Sequence, residues 1–193
     1  MKLRSGILVG ALGVALAAFL AGDAVTVGWL GGAAPSGSSR AVWREVKWPF
    51  PLDEWGIGRA FHCASADCGA EINLYLRAKV GFCNCATGVS DNDDLDRVSD
   101  LQLFSDAFVG LTDGRPIGVG PLKGRSRLYH VSIPYAQPRD MFAIGFNDQC
   151  DVAVATVLAD PDRLREAEGF ALDFLNTDLV LRWAGTELGR NGT

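Results

Sequence analysis

The sequence predicts an α+β domain, a mostly antiparallel sheet with about two helices packed on one side of it, behind an N-terminal hydrophobic signal or anchor helix. Three observations carry this. Strand-like stretches follow one another without regular strand-helix alternation, which argues against a parallel sheet. Residues 71–80 alternate strictly, with Ile72, Leu74, Leu76, Ala78 and Val80 on one face and Asn73, Tyr75, Arg77 and Lys79 on the other. Only two later stretches, opening near Ser90 and Asp160, carry helix-start signals.

The leader comes first. Met1-Lys2-Leu3-Arg4 is a short positive segment and residues 6–22 are an unbroken apolar run, the pattern of an export signal. Positive charge at the start keeps the amino end in the cytoplasm, so the remainder is expected on the far side of the membrane. Cleavage after Ala24, with Gly22 and Ala24 as the small residues, would release a periplasmic protein. Retention would leave residues 1–30 as a transmembrane helix anchoring it to the inner membrane, since 6–30 at ~1.5 Å per residue can cross a hydrocarbon layer of ~30 Å. Asp23 opposes retention, because a carboxylate at the bilayer centre costs roughly 2.5–3.5 kcal/mol. Both fates are extracytoplasmic, and the choice between them stays open. No cysteine follows the run at lipoprotein distance, so a lipid anchor is not indicated. Residues 31–40 are a small-residue linker, 41–188 the single extracytoplasmic domain, and 189–193 a frayed tail.

Within the domain, residues 41–48 are β-branched and aromatic and predict a strand, ended by Pro49 and Pro51. A turn at 52–56 and a strand at 58–63 precede the alternating strand. Ser90 is the expected N-cap of the first helix, with Leu95, Val98 and Leu101 as its buried stripe. A short hairpin is expected from 108–112 and 116–119 around Asp113-Gly114. Strands follow at 128–133 and 141–146, then a nearly all-apolar central strand at 151–158. Asp160 as cap and Pro161 at the first helical position open a helix over 164–175, and 179–183 reads as a last strand.

Composition limits function. With 193 residues, 48% hydrophobic and 21% charged, the chain can bury a core, so its five cysteines are not its only source of stability. The net charge of -5, with Lys and Arg scattered singly, offers no basic face for phosphates, so nucleic acid is excluded as a partner.

Four of the five cysteines and one of the two histidines fall between His62 and Cys85. Outside the cytoplasm thiols become disulfides, and five leave one over. Cys63 and Cys68 flank a short loop and can bridge across it. A straight strand after Glu71 carries Cys83 and Cys85 roughly 40 Å away at ~3.3 Å per residue, where Cys150 is the natural mate for Cys85 or Cys83. Such a bridge could contribute ~4 kcal/mol. The alternative is a copper or zinc site from His62, Cys63, Cys68, Cys83 and Cys85, which needs a sharp bend near Gly81 and lacks the paired C-x2-C knuckles of structural zinc. Thiol exchange through Cys83-Asn84-Cys85 is a further option without the helix-start C-x-x-C that activates a thiol.

Other chemistry is thin. His130 sits beside Ser132 without a G-x-S-x-G elbow, and reads as a half-buried sheet residue. A Cys150–His130–Asp triad has no recognised spacing. Residues 91–96 are acidic but lack the glycine and terminal glutamate of a calcium loop, and the glycines of 110–124 lack the end of a phosphate loop. Asn191-Gly192-Thr193 matches a glycosylation acceptor at the chain end. Trp43, Trp48 and Trp55, with Phe50, are either core or a surface for an envelope protein partner. The expectation is a non-enzymatic, disulfide-stabilised envelope domain with an accessory or binding role and no cofactor; the alternative is a copper-, zinc- or thiol-based redox protein.

Overall fold

The computed structural model describes residues 41–189. The signal or anchor segment, the linker and all but the first residue of the tail lie outside the described residues. Among the described residues, no helix is long and apolar enough to cross a membrane.

The strands are β1 (Trp43–Val46), β2 (Arg59–Cys63), β3 (Ile72–Lys79), β4 (Phe108–Gly110), β5 (Arg115–Val119), β6 (Leu122–Val131), β7 (Arg139–Asp148) and β8 (Asp151–Leu158). They form one antiparallel sheet in the order β1-β2-β3-β8-β7-β6-β4, with β5 also on β6. The helices are α1 (Ser65–Cys68), α2 (Asn92–Val98), α3 (Leu164–Leu175) and α4 (Asp178–Leu188), and 3-10 turns span Leu101–Leu103 and Pro161–Arg163.

Strand β8 lies in the middle because it is nearly all apolar: all eight residues are buried, and Asp151 at its start is satisfied by the Gly81 N–H at 2.6 Å. Its two faces open two cores. Leu74, Leu76, Phe142, Ile144, Ala155 and Val157 meet α3 and α4 on one side, while Val152, Val154, Met141 and Tyr129 meet α2 and Leu101 on the other. Each fully buried Leu or Ile contributes ~1.5–3 kcal/mol. Helices therefore cover both faces, not one. The expectation of one side fails because the central strands carry apolar residues on both faces, and Leu95 and Val98 of the short α2 pack on the second.

Three local readings also change. Residues 179–183 look like a strand, but Val180, Ala184 and Leu188 recur every four residues and are buried, so the segment is α4. Asp91, not Ser90, caps α2: its carboxylate accepts the Asp94 N–H at 2.8 Å, and the Ser90 hydroxyl donates to the Asp94 carboxylate at 2.9 Å. Strands β4 and β5 do not pair with each other. Both run antiparallel to β6, β4 against Tyr129–Val131 and β5 against Leu122–Ser126, so they form one edge strand interrupted at 111–114. The interruption persists because β6 side chains take the carbonyls there: Arg127 donates to Thr112 at 2.8 Å and Arg125 to Gly114 at 2.7 Å. The true hairpin is β5–β6, closed by Pro121 after Gly120, whose φ of 56° suits glycine. Hairpin β7–β8 turns at Gln149-Cys150, with Gln149 at φ 52°.

Candidate functional site

The cysteine-rich stretch is split by β3. Cys63 ends β2 and Cys68 ends α1, the four-residue turn joining β2 to β3; their sulfurs are bonded at 1.99 Å within the α3/α4 core. Past β3, eight residues or ~26 Å away, Cys85 is bonded to Cys150 at 2.12 Å across 65 residues. Cys83 is the free cysteine and is buried; its N–H donates to the Cys150 carbonyl at 3.0 Å and its thiol to the Gln149 carbonyl at 3.2 Å. Burial first, and Asp151 second, push the Cys83 thiol up to about 11.

His62 stands apart from this end and pairs with Glu71, which also accepts the Ser65 N–H at 3.0 Å. The Ser65 N–H and His62 together hold the Glu71 carboxyl below its ordinary value. His62, Cys63, Cys68, Cys83 and Cys85 thus do not converge on one point. Among the described residues, no group of three or more His, Cys, Asp or Glu is placed to hold a metal ion. Three acidic residues of 91–96 are committed as well: Asp91 caps α2, Asp94 binds Ser90 and Arg97, and Asp96 takes Arg127 at 2.9 Å and the Tyr129 hydroxyl.

The least expected feature lies on β3. Arg77 and Lys79, placed by alternation on a polar face, are buried. The Arg77 guanidinium donates to Asp100 through Nε at 2.9 Å and Nη2 at 2.6 Å, and to both oxygens of Asp53 at 2.6 and 2.7 Å. The Lys79 ammonium donates to the Val98 and Ser99 carbonyls at 2.8 and 3.2 Å and lies 2.8 Å from Asp100. Lysine here answers the unpaired carbonyls at the end of α2. Trp55 and Phe82 flank its ammonium at 5.7 and 5.4 Å from their ring centres. Desolvation holds Lys79 below its ordinary value, with Asp100 pulling the other way, and hydrogen bonds from Arg77 hold Asp53 below its own. Since Lys79 has three N–H groups facing three oxygens, the cluster is a clamp joining the 53–56 turn and the α2 end to the sheet. Above it opens a cleft of about 290 Å3 walled by Glu54, Trp55, Phe82, Arg97 and Gln102. Nothing near residue 77 in sequence signals this, because the anions lie 24 residues before it and 23 after.

His130 Nδ1 is 2.7 Å from Asp140, beside a hollow of about 400 Å3 that Gln137, Arg139 and Asp160 also line. Cys150 lies in the turn beyond the other end of β7, whose run from Asp140 to Asp148 spans ~26 Å, and is bonded to Cys85, so a Cys150–His130 triad is not assembled. Trp43, Trp48 and Trp55 make separate aromatic contacts. Trp43 stacks on Phe174 of α3 at 4.8 Å; Trp48 packs on Phe50 and Tyr75; Trp55 lies against Phe82 at 4.5 Å. Of these three, Trp55 borders the cleft. No protein-family model matches the chain, and no curated protein matches it.

Proposed function

We propose that the chain is an exported or membrane-tethered domain of the cell envelope, braced by disulfides, with an accessory or binding role. The observation that supports this reading is the pair of disulfides in a domain that already buries two cores. A domain of this size gains a core without them, and they persist where the surroundings are oxidising. The leader of residues 1–30 supplies the route to such a compartment. Binding is favoured over catalysis because the ionisable groups with the strongest contacts, Arg77, Lys79, Asp53 and Asp100, hold one another. The cleft over that clamp, with the Trp55 and Phe82 rings and the Arg97 guanidinium on its walls, is the surface offered to an envelope partner.

Expression of the full chain with its leader tests the reading by thiol counting. The expected result is one alkylatable thiol in the denatured, unreduced protein and five after reduction, no bound copper or zinc, and a domain digestible from outside the inner membrane. Five reduced thiols in a cytoplasmic domain, or stoichiometric metal held by reduced cysteines, would overturn it.

A further inference from the structure

The β7–β8 turn holds three cysteines in one neighbourhood, and only two of them can be bonded at once. Cys150 is bridged to Cys85, yet the backbone of Cys83 is the one hydrogen-bonded to it, at 3.0 Å. The Cys83 thiol rests on the Gln149 carbonyl of the same turn at 3.2 Å. Cys83 and Cys85 have a single residue between them: Cys85 is bonded to Cys150, and Cys83 is held against the same turn through the Cys150 and Gln149 carbonyls. Their surroundings differ: Cys83 is buried, whereas Cys85 is exposed. Cys150 in turn is one of the residues lining a cavity of about 440 Å3, with Gln149, Asp151 and Leu188.

We propose that Cys83, Cys85 and Cys150 form an internal thiol-disulfide exchange site, in which Cys83 displaces Cys85 from Cys150 and delivers a reactive thiol to the protein surface. Cys83 gives up its proton, and its thiolate electron pair forms a bond to the Cys150 sulfur. The Cys85–Cys150 bond breaks, and its electron pair leaves on Cys85, which takes up a proton. One disulfide is made and one is lost, so no oxidant or reductant is consumed. The domain would keep its tie between the end of β3 and the β7–β8 turn in both forms. What changes is the location of the free thiol, from buried at Cys83 to exposed at Cys85, where a partner thiol or an alkylating group can reach it.

The rate of exchange is set by the groups around Cys83. Burial and the carboxylates of Asp151 on β8 and Asp94 on α2 disfavour its thiolate, while Arg97 on α2 favours it. With the thiol raised to about 11, about one molecule in ten thousand carries the thiolate at neutral pH, so exchange is slow until the pH rises or the 81–89 segment opens. The site would then act as a held reserve of surface thiol. Its operation requires only the oxidised domain, and Arg97, which favours the Cys83 thiolate, also walls the cleft.

The test is to trap the product. The full-length oxidised chain is incubated with excess iodoacetamide under native conditions from pH 7 to pH 10, quenched with acid, digested without reduction and mapped by fragment-ion mass spectrometry. The expected result is label on Cys85 together with a Cys83–Cys150 bridge, accumulating about tenfold faster per pH unit as the thiolate fraction rises. Label on Cys83 with Cys85–Cys150 intact, or no label until the protein is unfolded, would overturn the exchange. Two variants report independently of the trapping. Cys83→Ser should abolish labelling of Cys85, and Cys85→Ser should be isolated with a Cys83–Cys150 disulfide. Finding Cys83 and Cys150 both reduced in oxidised Cys85→Ser would also refute the proposal.

Discussion

Asp100 is expected to be the most sensitive charged position in the domain. Its side chain is 3% exposed and faces two cations, Arg77 through two hydrogen bonds of 2.9 and 2.6 Å and Lys79 at 2.8 Å. Asp100→Asn keeps the volume and removes the charge, leaving Arg77 and Lys79 buried with Asp53 as the remaining anion. Removing one member of a buried ion pair costs ~3–5 kcal/mol, because the desolvated partner is left uncompensated. Total stability for a domain of this kind is about 5–15 kcal/mol, and a loss of ~3 kcal/mol corresponds to about 10 °C in Tm. Asp53 also holds Arg77, but its side chain is 28% exposed. Water can replace its contact, and Asp53→Asn should cost about 1 kcal/mol. Urea unfolding followed by tryptophan fluorescence reads both, since Trp48 lies 5.9 Å from the Arg77 guanidinium. If Asp100→Asn costs no more than Asp53→Asn, the clamp does not carry the charge dependence assigned to it. A triple variant with Arg77, Lys79 and Asp100 replaced by apolar residues should recover much of the loss, because no buried charge is then left alone.

The two disulfides should differ in worth by their loop lengths. Loss of Cys63–Cys68, with a sequence separation of 5, is expected to cost about 2 kcal/mol, and loss of Cys85–Cys150, with a separation of 65, about 4 kcal/mol; urea midpoints of the paired Cys→Ala variants that rank the other way would contradict a chain-entropy origin. Hydrogen bonds from Arg77 lower the Asp53 carboxyl, so its stabilising contribution is complete above the unfolded value of about 3.9 and is lost as pH falls through the lower folded value. Midpoints measured from pH 5 to pH 2 should therefore fall less steeply for Asp53→Asn than for the native protein, and an unchanged slope would remove Asp53 from the acid response.

How much of this was legible depends on the range of the cause. Strand β8 could be read as central because it is nearly all apolar, and the apolar face of β3 because Ile72, Leu74 and Leu76 alternate in sequence. The opposite face of β3 misled for the same reason that alternation works elsewhere. A rule of period two assigns Arg77 and Lys79 to solvent, whereas Asp53, Asp100 and the end of α2 arrive from outside the window and bury them. Segment 179–183 misled through composition, since Leu-Val-Leu suits a strand; the decisive signal was the longer recurrence through Val180, Ala184 and Leu188. The edge interruption between β4 and β5 had no local signal either, because its cause is two arginines on β6. In the cysteine stretch, the length of β3 was visible and with it the separation of the two ends, while the burial of Cys83 beside the β7–β8 turn was not.

The broken edge at 111–114 has a bearing on solubility. Sheet rims invite added strands from neighbouring molecules when they are long, flat and apolar. Here the longest strands, β6 and β7 with ten residues each, are both interior to the sheet. The rims are short: β1 has four residues, and the other side is cut into three- and five-residue pieces by the arginine-held kink. Val109 and Leu111 are exposed at that kink, the sort of side chains that would seed stacking on a continuous edge. Breaking the ladder beside them denies an incoming strand a straight template.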